Sequence, residues 1–199
     1  MDLDEIIALP DSHEKTAALV AWVQQLYSGE SSIPVLVGGA AVELLTGGGY
    51  TTGDLDFVGA VPPSAQRSLT AAGFERKGRH WIHSDGQIFL EFPSDQLERD
   101  EESVDLEVAG HRVEVLAPEP LIVDRLAAWE FWNSSTDAVN AFLLVKAVGD
   151  KLDGEKLELI AERRELVQAL ERLLAFASRF EATEPTPEEL AVWAAREGS

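Results

Sequence analysis

Asp54 and Asp56 stand two apart in the run Gly53-Asp54-Leu55-Asp56-Phe57-Val58, and no other pair in the chain offers chemistry as plainly. Leu55 and Phe57 alternate with them, so the run reads as a strand with one apolar and one acidic face, both carboxylates on the latter. Two like charges about 6 to 7 Å apart along a strand are uncomfortable unless a cation neutralises them, and hard divalent ions favour carboxylate oxygen. Upstream, the apolar run Ile33-Pro34-Val35-Leu36-Val37 reads as a short buried strand closed by Gly38-Gly39. A pair without Cβ atoms lets backbone approach a phosphate closely. A phosphate-approaching turn beside a metal-binding acidic pair points to nucleotide chemistry. The plain alternative is a solvated strand end with turn-favouring acids. Against it, an acid in the middle of a β-rich run is locally unfavourable, and such conflicts concentrate at functional sites.

Two-metal phosphoryl chemistry calls for a third carboxylate that is both ligand and base for the incoming nucleophile. Glu91 interrupts the apolar run Ile88-Phe89-Leu90-Glu91-Phe92, where a charge is costly without a partner; its bland reading is an outward-facing edge residue. Asp95, Asp105 and Glu114 are rivals, the last two fitting simple outward alternation on a hairpin. Arg76, Lys77, Arg79, His80 and His83 form the one basic cluster, most of which reads as solvated loop charge. His80 and His83, three apart, point to opposite faces of a strand and make a poor metal pair. Arg125, on a helix beside Asp124, either reaches a cleft or pairs at the surface.

The elements that must position these residues follow from pattern. A helix is expected from Ser12, its N-cap, to Tyr27, and a second from Ala40 to Leu45, ended by Thr46-Gly47-Gly48-Gly49. Pro62-Pro63-Ser64 introduces a helix to about Ala72, and strands are expected at 79–83, 87–92, 104–108 and 111–116, the last two a hairpin around Ala109-Gly110. An acid-rich excursion spans 93–103. From Pro118 onward the composition is helical, with helices expected at 118–132, 136–148, 154–178 and 187–196 and a linker from Glu181 to Pro187. Trp129, Phe131, Trp132 and Phe142 read as packing between helices. The apolar stripe between Leu157 and Phe180 suits either a buried helix or a dimer face. The order predicts an α+β fold, a mixed sheet flanked by helices, with residues 1–117 forming that domain and 118–199 a helical C-terminal region.

Length and composition fit this picture. At 199 residues, 45% hydrophobic and 26% charged, the chain can bury a sizeable core. No signal-like start and no apolar run long enough to span a bilayer is visible, and with no cysteine there is no disulfide, thiol or cysteine-zinc chemistry. A soluble, cytoplasmic protein is the expectation. Sixteen Lys and Arg against 36 Asp and Glu give a net charge of −20, which repels polyanions over most of the surface and disfavours generic nucleic-acid binding. A basic protein partner suits such a charge. The excess of Arg over Lys in so acidic a chain fits either life in high salt or a GC-rich genome.

With Gly38-Gly39, Thr52, Asp54-Leu55-Asp56 and Glu91 in view, the chain resembles the nucleotidyltransferase superfamily that includes DNA polymerase beta. More closely, the pattern Val37-Gly-Gly-Ala-Ala-Val42 followed by Thr52-Gly-Asp-Leu-Asp-Phe-Val58 is similar to that of the AbiEii-type and minimal nucleotidyltransferase-like proteins of toxin-antitoxin systems. The segment from Leu116 to Ala128 is similar to the one in which those proteins open their helical region. The resemblance covers roughly residues 33 to 145. It implies Mg²⁺-dependent transfer of a nucleoside monophosphate from a nucleoside triphosphate to an acceptor hydroxyl. Asp54, Asp56 and Glu91 would be metal ligands for two ions, with Gly38, Gly39, Thr52 and Arg125 as nucleotide contacts. The alternative is a non-catalytic protein of the same fold that binds a partner, as an antitoxin or scaffold.

Overall fold

The computed structural model describes residues 1–180 and 182–195, in two compact units, Met1–Ala117 and Pro118–Ser199. In the first unit, helices α1 (Leu3–Ile7) and α2 (His13–Gln25) precede strand β1 (Val35–Val37), helix α3 (Gly38–Leu45), strand β2 (Asp54–Val58) and helix α4 (Pro63–Ala71). Strands β3 (Glu75–Lys77), β4 (His80–His83), β5 (Ile88–Ser94), β6 (Ser103–Val108) and β7 (His111–Leu116) follow. Seven strands form one sheet in the order β3-β4-β5-β2-β1-β7-β6. Two neighbours are parallel, β2 with β5 and β1 with β7; the remaining pairs are antiparallel. This is the mixed-sheet α+β architecture that the element order predicts.

The period-2 pattern divides the sheet cleanly. Leu36, Leu55, Phe57, Leu90, Phe92, Trp81, Val113 and Val115 are buried, and Phe57 stacks on Phe92 with ring centroids 5.6 Å apart. Helix α2 packs against β7 and helix α3 against β1 and β2. Asp54, Asp56, Phe89 and Glu91, at the alternate positions of β2 and β5, occupy the other face. Where β1 and β7 meet in a single bridge, Leu36 with Val115, the side chain of Gln24 completes the pairing. Its amide donates to the carbonyls of Pro34 and Glu114 at 2.9 and 2.8 Å and accepts from the Glu114 amide at 3.0 Å. Buried backbone groups left without such partners would each cost free energy.

Several boundaries differ from the sequence expectation for identifiable reasons. Ser12 caps α2 as expected, but α1, closed by a reciprocal capping box between Asp2 and Glu5, and the three-residue edge strand β3 lie outside the periodicity reading. Helix α3 begins at Gly38 rather than Ala40, so the glycine pair forms the first turn of a helix and not a free loop.

The second unit contains α5 (Pro118–Trp132), α6 (Ser135–Val148), a 3₁₀ turn (Gly149–Lys151), α7 (Gly154–Arg163), α8 (Val167–Ser178) and α9 (Pro187–Ala194). The single helix expected at 154–178 is broken at Glu165, which takes a left-handed φ of 59°. The Leu166 amide bonds back to Ala161 O and the Glu165 amide to Glu162 O, a Schellman ending that buries Leu166. Trp129 and Phe142 are core as expected, whereas Phe131 and Trp132 are exposed, the latter by 82%. Trp193 of α9 stacks on Phe176 at 4.4 Å, and the Trp129 indole donates to Ala194 O at 2.9 Å. Position 181 of the expected linker and position 196 of the expected last helix lie outside the described residues.

Candidate functional site

The first unit brings Asp54, Asp56 and Glu91 to one face of the sheet, with Gly38 set against Asp56 and Gly39 against Thr52. Asp56 pairs in register with Val37 on one flank and Glu91 on the other. Laterally aligned residues share a face, so Asp56 and Glu91 stand about 4.8 Å apart at the backbone, one strand spacing. Asp54 lies one pleat along on the same face, beside Phe89. Its carboxylate is exposed and has no hydrogen-bond or ion-pair partner among the described residues.

Gly38 is glycine for two physical reasons. Its φ is +67°, a region that side chains adopt at a cost. A Cβ there would also collide with the Asp56 carboxylate. The Asp56 side chain therefore lies directly against the start of α3, where unpaired amides and the helix dipole favour negative charge. Gly39 faces Thr52: a Cβ would meet the Thr52 hydroxyl at 3.2 Å.

Thr52 is in turn held from behind. Its amide donates to Glu43 Oε2 at 3.2 Å, and the Thr16 hydroxyl donates to Glu43 Oε1 at 2.9 Å. Glu43 is 1% exposed, so a buried carboxylate ties α2, α3 and the loop ahead of β2 together, consistent with buried charge requiring partners. Sequence reading missed this residue. The signal was there, since Glu43 is the one charged residue in the otherwise apolar run Gly38–Leu45.

Glu91 is half-buried and already engaged. Arg79 Nε lies 2.6 Å from its Oε1 and His80 Nδ1 3.5 Å from its Oε2. Arg79 sits at the tip of the β3–β4 hairpin, whose turn uses Gly78 at φ 68° and is fixed by the Phe92 amide donating to Arg79 O at 3.1 Å. These two basic residues, which read as solvated loop charge in the sequence, contact the third acid. No three His, Asp or Glu side chains converge as a metal-holding group among the described residues. Asp54 and Asp56 still offer the hard oxygen donors that Mg²⁺-like ions take.

Arg125 belongs to the second unit. Its two terminal nitrogens are spent on Asp124 at 2.6 Å and Asp137 at 2.7 Å, the latter carboxylate also accepting from the Ser134 hydroxyl at 2.5 Å, while its Nε is buried without a hydrogen-bond partner among the described residues. Burial alone would push the Arg125 pKa down, but the carboxylates of Asp124 and Asp137 outweigh it and hold the pKa above the usual guanidinium value. Of the rivals to Glu91, Asp105 pairs with Arg112 at 2.6 Å across the outer hairpin, and Glu114 accepts from the Ser103 hydroxyl. No helix among the described residues is long and apolar enough to cross a membrane.

No protein-family model matches the chain, and no curated protein is detectably similar in sequence. Solved structures do match. An antigenic nucleotidyltransferase-like protein from Paracoccidioides brasiliensis aligns with a TM-score of 0.55 at 19% identity, over 82% of this chain and 95% of that one. The antibiotic-resistance factor ANT(2″)-Ia aligns with a TM-score of 0.52 at 17% identity, over 80% of this chain and 97% of that one. At these identities the likeness is one of fold, and the fold is nucleotidyltransferase-like.

Proposed function

We propose that the protein transfers a nucleoside monophosphate from a nucleoside triphosphate to an acceptor hydroxyl. The observation that carries this reading is the alignment of Asp54, Asp56 and Glu91 on one open sheet face, with Asp56 set against the Cβ-free start of α3. Gly38, Gly39 and Thr52 lie on the β1 side of the acids and suit the triphosphate, since helix-start amides and a threonine hydroxyl are phosphate donors. Glu91 lies on the β5 side and suits the acceptor. There it takes the proton as the acceptor oxygen attacks the α-phosphorus, and the bond from that phosphorus to the departing pyrophosphate breaks. Asp54 and Asp56, joined by Glu91 once it turns from Arg79, would hold divalent cations, and bound Mg²⁺ would supply neutralisation of the charge developing on the phosphates. Arg125, paired within the second unit, is the weakest member of the proposed nucleotide contacts.

The likeness to AbiEii-type sequences supports a finer reading, a cytoplasmic component of a toxin-antitoxin pair with a protein partner. The test is calorimetric titration with Mg²⁺ and each of the four triphosphates, followed by incubation with labelled triphosphate and cell extract. Mg²⁺-dependent binding that disappears in Asp54→Asn and Asp56→Asn, with label transferred to an acceptor, is expected. One observation favours a second reading, a non-catalytic partner-binding protein of the same fold: the ion pair that occupies Glu91. Absence of any Mg²⁺-dependent nucleotide binding by the wild type would leave only that reading.

A further inference from the structure

Beyond Glu91 the acidic face continues across two more strands, and the register orders it. Glu91 pairs with His80, and His80 with Lys77, so Asp56, Glu91, His80 and Lys77 form one row across β2, β5, β4 and β3, all on the same face. The neighbouring row is Asp54, Phe89, Ile82 and Glu75. Charge therefore changes sign along the first row, from carboxylates to cations, while the second supplies apolar surface between its terminal acids. Phe89, 43% exposed, is an aromatic ring left on the open face of a strand whose other apolar members, Ile88, Leu90 and Phe92, are buried.

The cationic end has unspent hydrogen-bond capacity. The Arg79 side chain is 61% exposed and meets Glu91 at Nε, and its terminal NH₂ groups make no hydrogen bond among the described residues. Lys77 is exposed with no partner among the described residues, and His80 Nε2 is likewise unengaged. In a chain of net charge −20, cations gathered on one edge in line with the candidate catalytic acids are a local exception to the field of the whole molecule. Arg76, by contrast, lies on the opposite face over Trp81 and bonds to Gln66 and Gly78.

We infer that this edge receives the acceptor, and that the acceptor is a small hydroxylated anion with a flat or apolar body. Its phosphate or carboxylate sits on Arg79 and Lys77, its body lies along Phe89 and Ile82, and its hydroxyl reaches Glu91. Arginine suits either oxyanion because its fork matches both geometries. The row sets the size: hydroxyl and anionic group are separated by one to two strand spacings, about 5 to 10 Å. A polynucleotide is disfavoured because the rest of the surface repels it. This inference rests on the nucleotidyl-transfer reading for the meaning of acceptor, but the anion site itself is measurable without nucleotide.

The test is binding of phenyl phosphate, phenylacetate and neutral benzyl alcohol to the full chain, followed by calorimetry or ligand-observed NMR without divalent ion. One of the two anions should bind at least about fivefold tighter than benzyl alcohol, a modest fraction of the tenfold that each 1.4 kcal/mol confers, and its identity names the oxyanion. Arg79→Ala and Lys77→Ala should each weaken that anion severalfold and leave benzyl alcohol unchanged, while Phe89→Ala should weaken all three. Equal affinity for the neutral and charged probes, or anion affinity indifferent to Arg79→Ala and Lys77→Ala, overturns the inference. So does displacement of phenyl phosphate by a 20-nucleotide oligothymidylate at about 0.15 M salt, where long-range steering is screened. Parallel titration with Mg²⁺ and triphosphates separates the two claims. Nucleotide binding without the anion preference removes the acceptor assignment alone; the anion preference without nucleotide binding keeps the anion site but removes the transfer reading and, with it, the assignment of that site to an acceptor.

Discussion

Gly38 carries two constraints, a left-handed backbone and the Asp56 carboxylate in the space a Cβ would need. Gly38→Ala is therefore expected to destabilise the fold by about 1 to 3 kcal/mol, the usual scale for a side chain forced into a sparsely populated conformation, read as a lower urea midpoint. The same substitution should displace the Asp56 carboxylate and weaken Mg²⁺-dependent nucleotide binding more than its stability loss explains. Gly47→Ala is a weaker control: it shares the positive φ but meets nothing within 4 Å. A Gly47→Ala protein that loses nucleotide binding as fully as Gly38→Ala would show that backbone strain alone, not the collision, sets the effect.

At the scale of elements, the break between α7 and α8 is built from a residue poorly suited to it. Glu165 holds the left-handed position of the Schellman ending, where glycine has no Cβ penalty. Glu165→Gly should raise the unfolding midpoint by the equivalent of about 0.5 to 1 kcal/mol; an unchanged or lower midpoint would mean that the Glu165 side chain contributes something the backbone geometry does not reveal. Helix α9 depends instead on a capping box, Thr186 with Glu189. The Thr186 amide, then its hydroxyl, holds the Glu189 carboxyl below its usual pKa. Since the folded value is depressed, its contribution is complete above the unfolded pKa and is lost as pH falls through the folded one. Hydrogen exchange within Pro187–Ala194 should therefore accelerate as the pH is lowered below about 4, after correction for intrinsic rates, and Glu189→Gln should remove that dependence.

For the whole molecule, the net charge of −20 acts over a longer range than any packing contact. Self-repulsion of that size opposes compaction and is screened by salt. The thermal midpoint should rise as NaCl is increased from about 0.01 M to about 0.5 M, where the Debye length falls to a few ångströms. A midpoint that falls with salt would mean that ion pairs such as Arg79–Glu91 and Arg172–Glu130 outweigh the repulsion.

Much of this organisation could be read from residues alone, and the misses have a common cause. Alternation in Asp54–Val58 and Ile88–Phe92 revealed two strands each with an acid on the polar face, because a strand's period is a local property. The glycine pair announced a close approach, and the composition turns helical from Pro118 onward. Local pattern could not reveal that β2 and β5 are parallel neighbours in the register that sets Asp56 beside Glu91, since pairing joins segments more than thirty residues apart. Nor could it show that Arg79 and His80, two residues of an ordinary-looking basic turn, are folded back onto that acid, or that Glu43 reaches Thr52 through the core. Residue types and periodicity determined which groups could do chemistry and on which kind of element. Which of them meet was decided by strand order and register, because those are set by burying one continuous apolar face and not by any short stretch of chain.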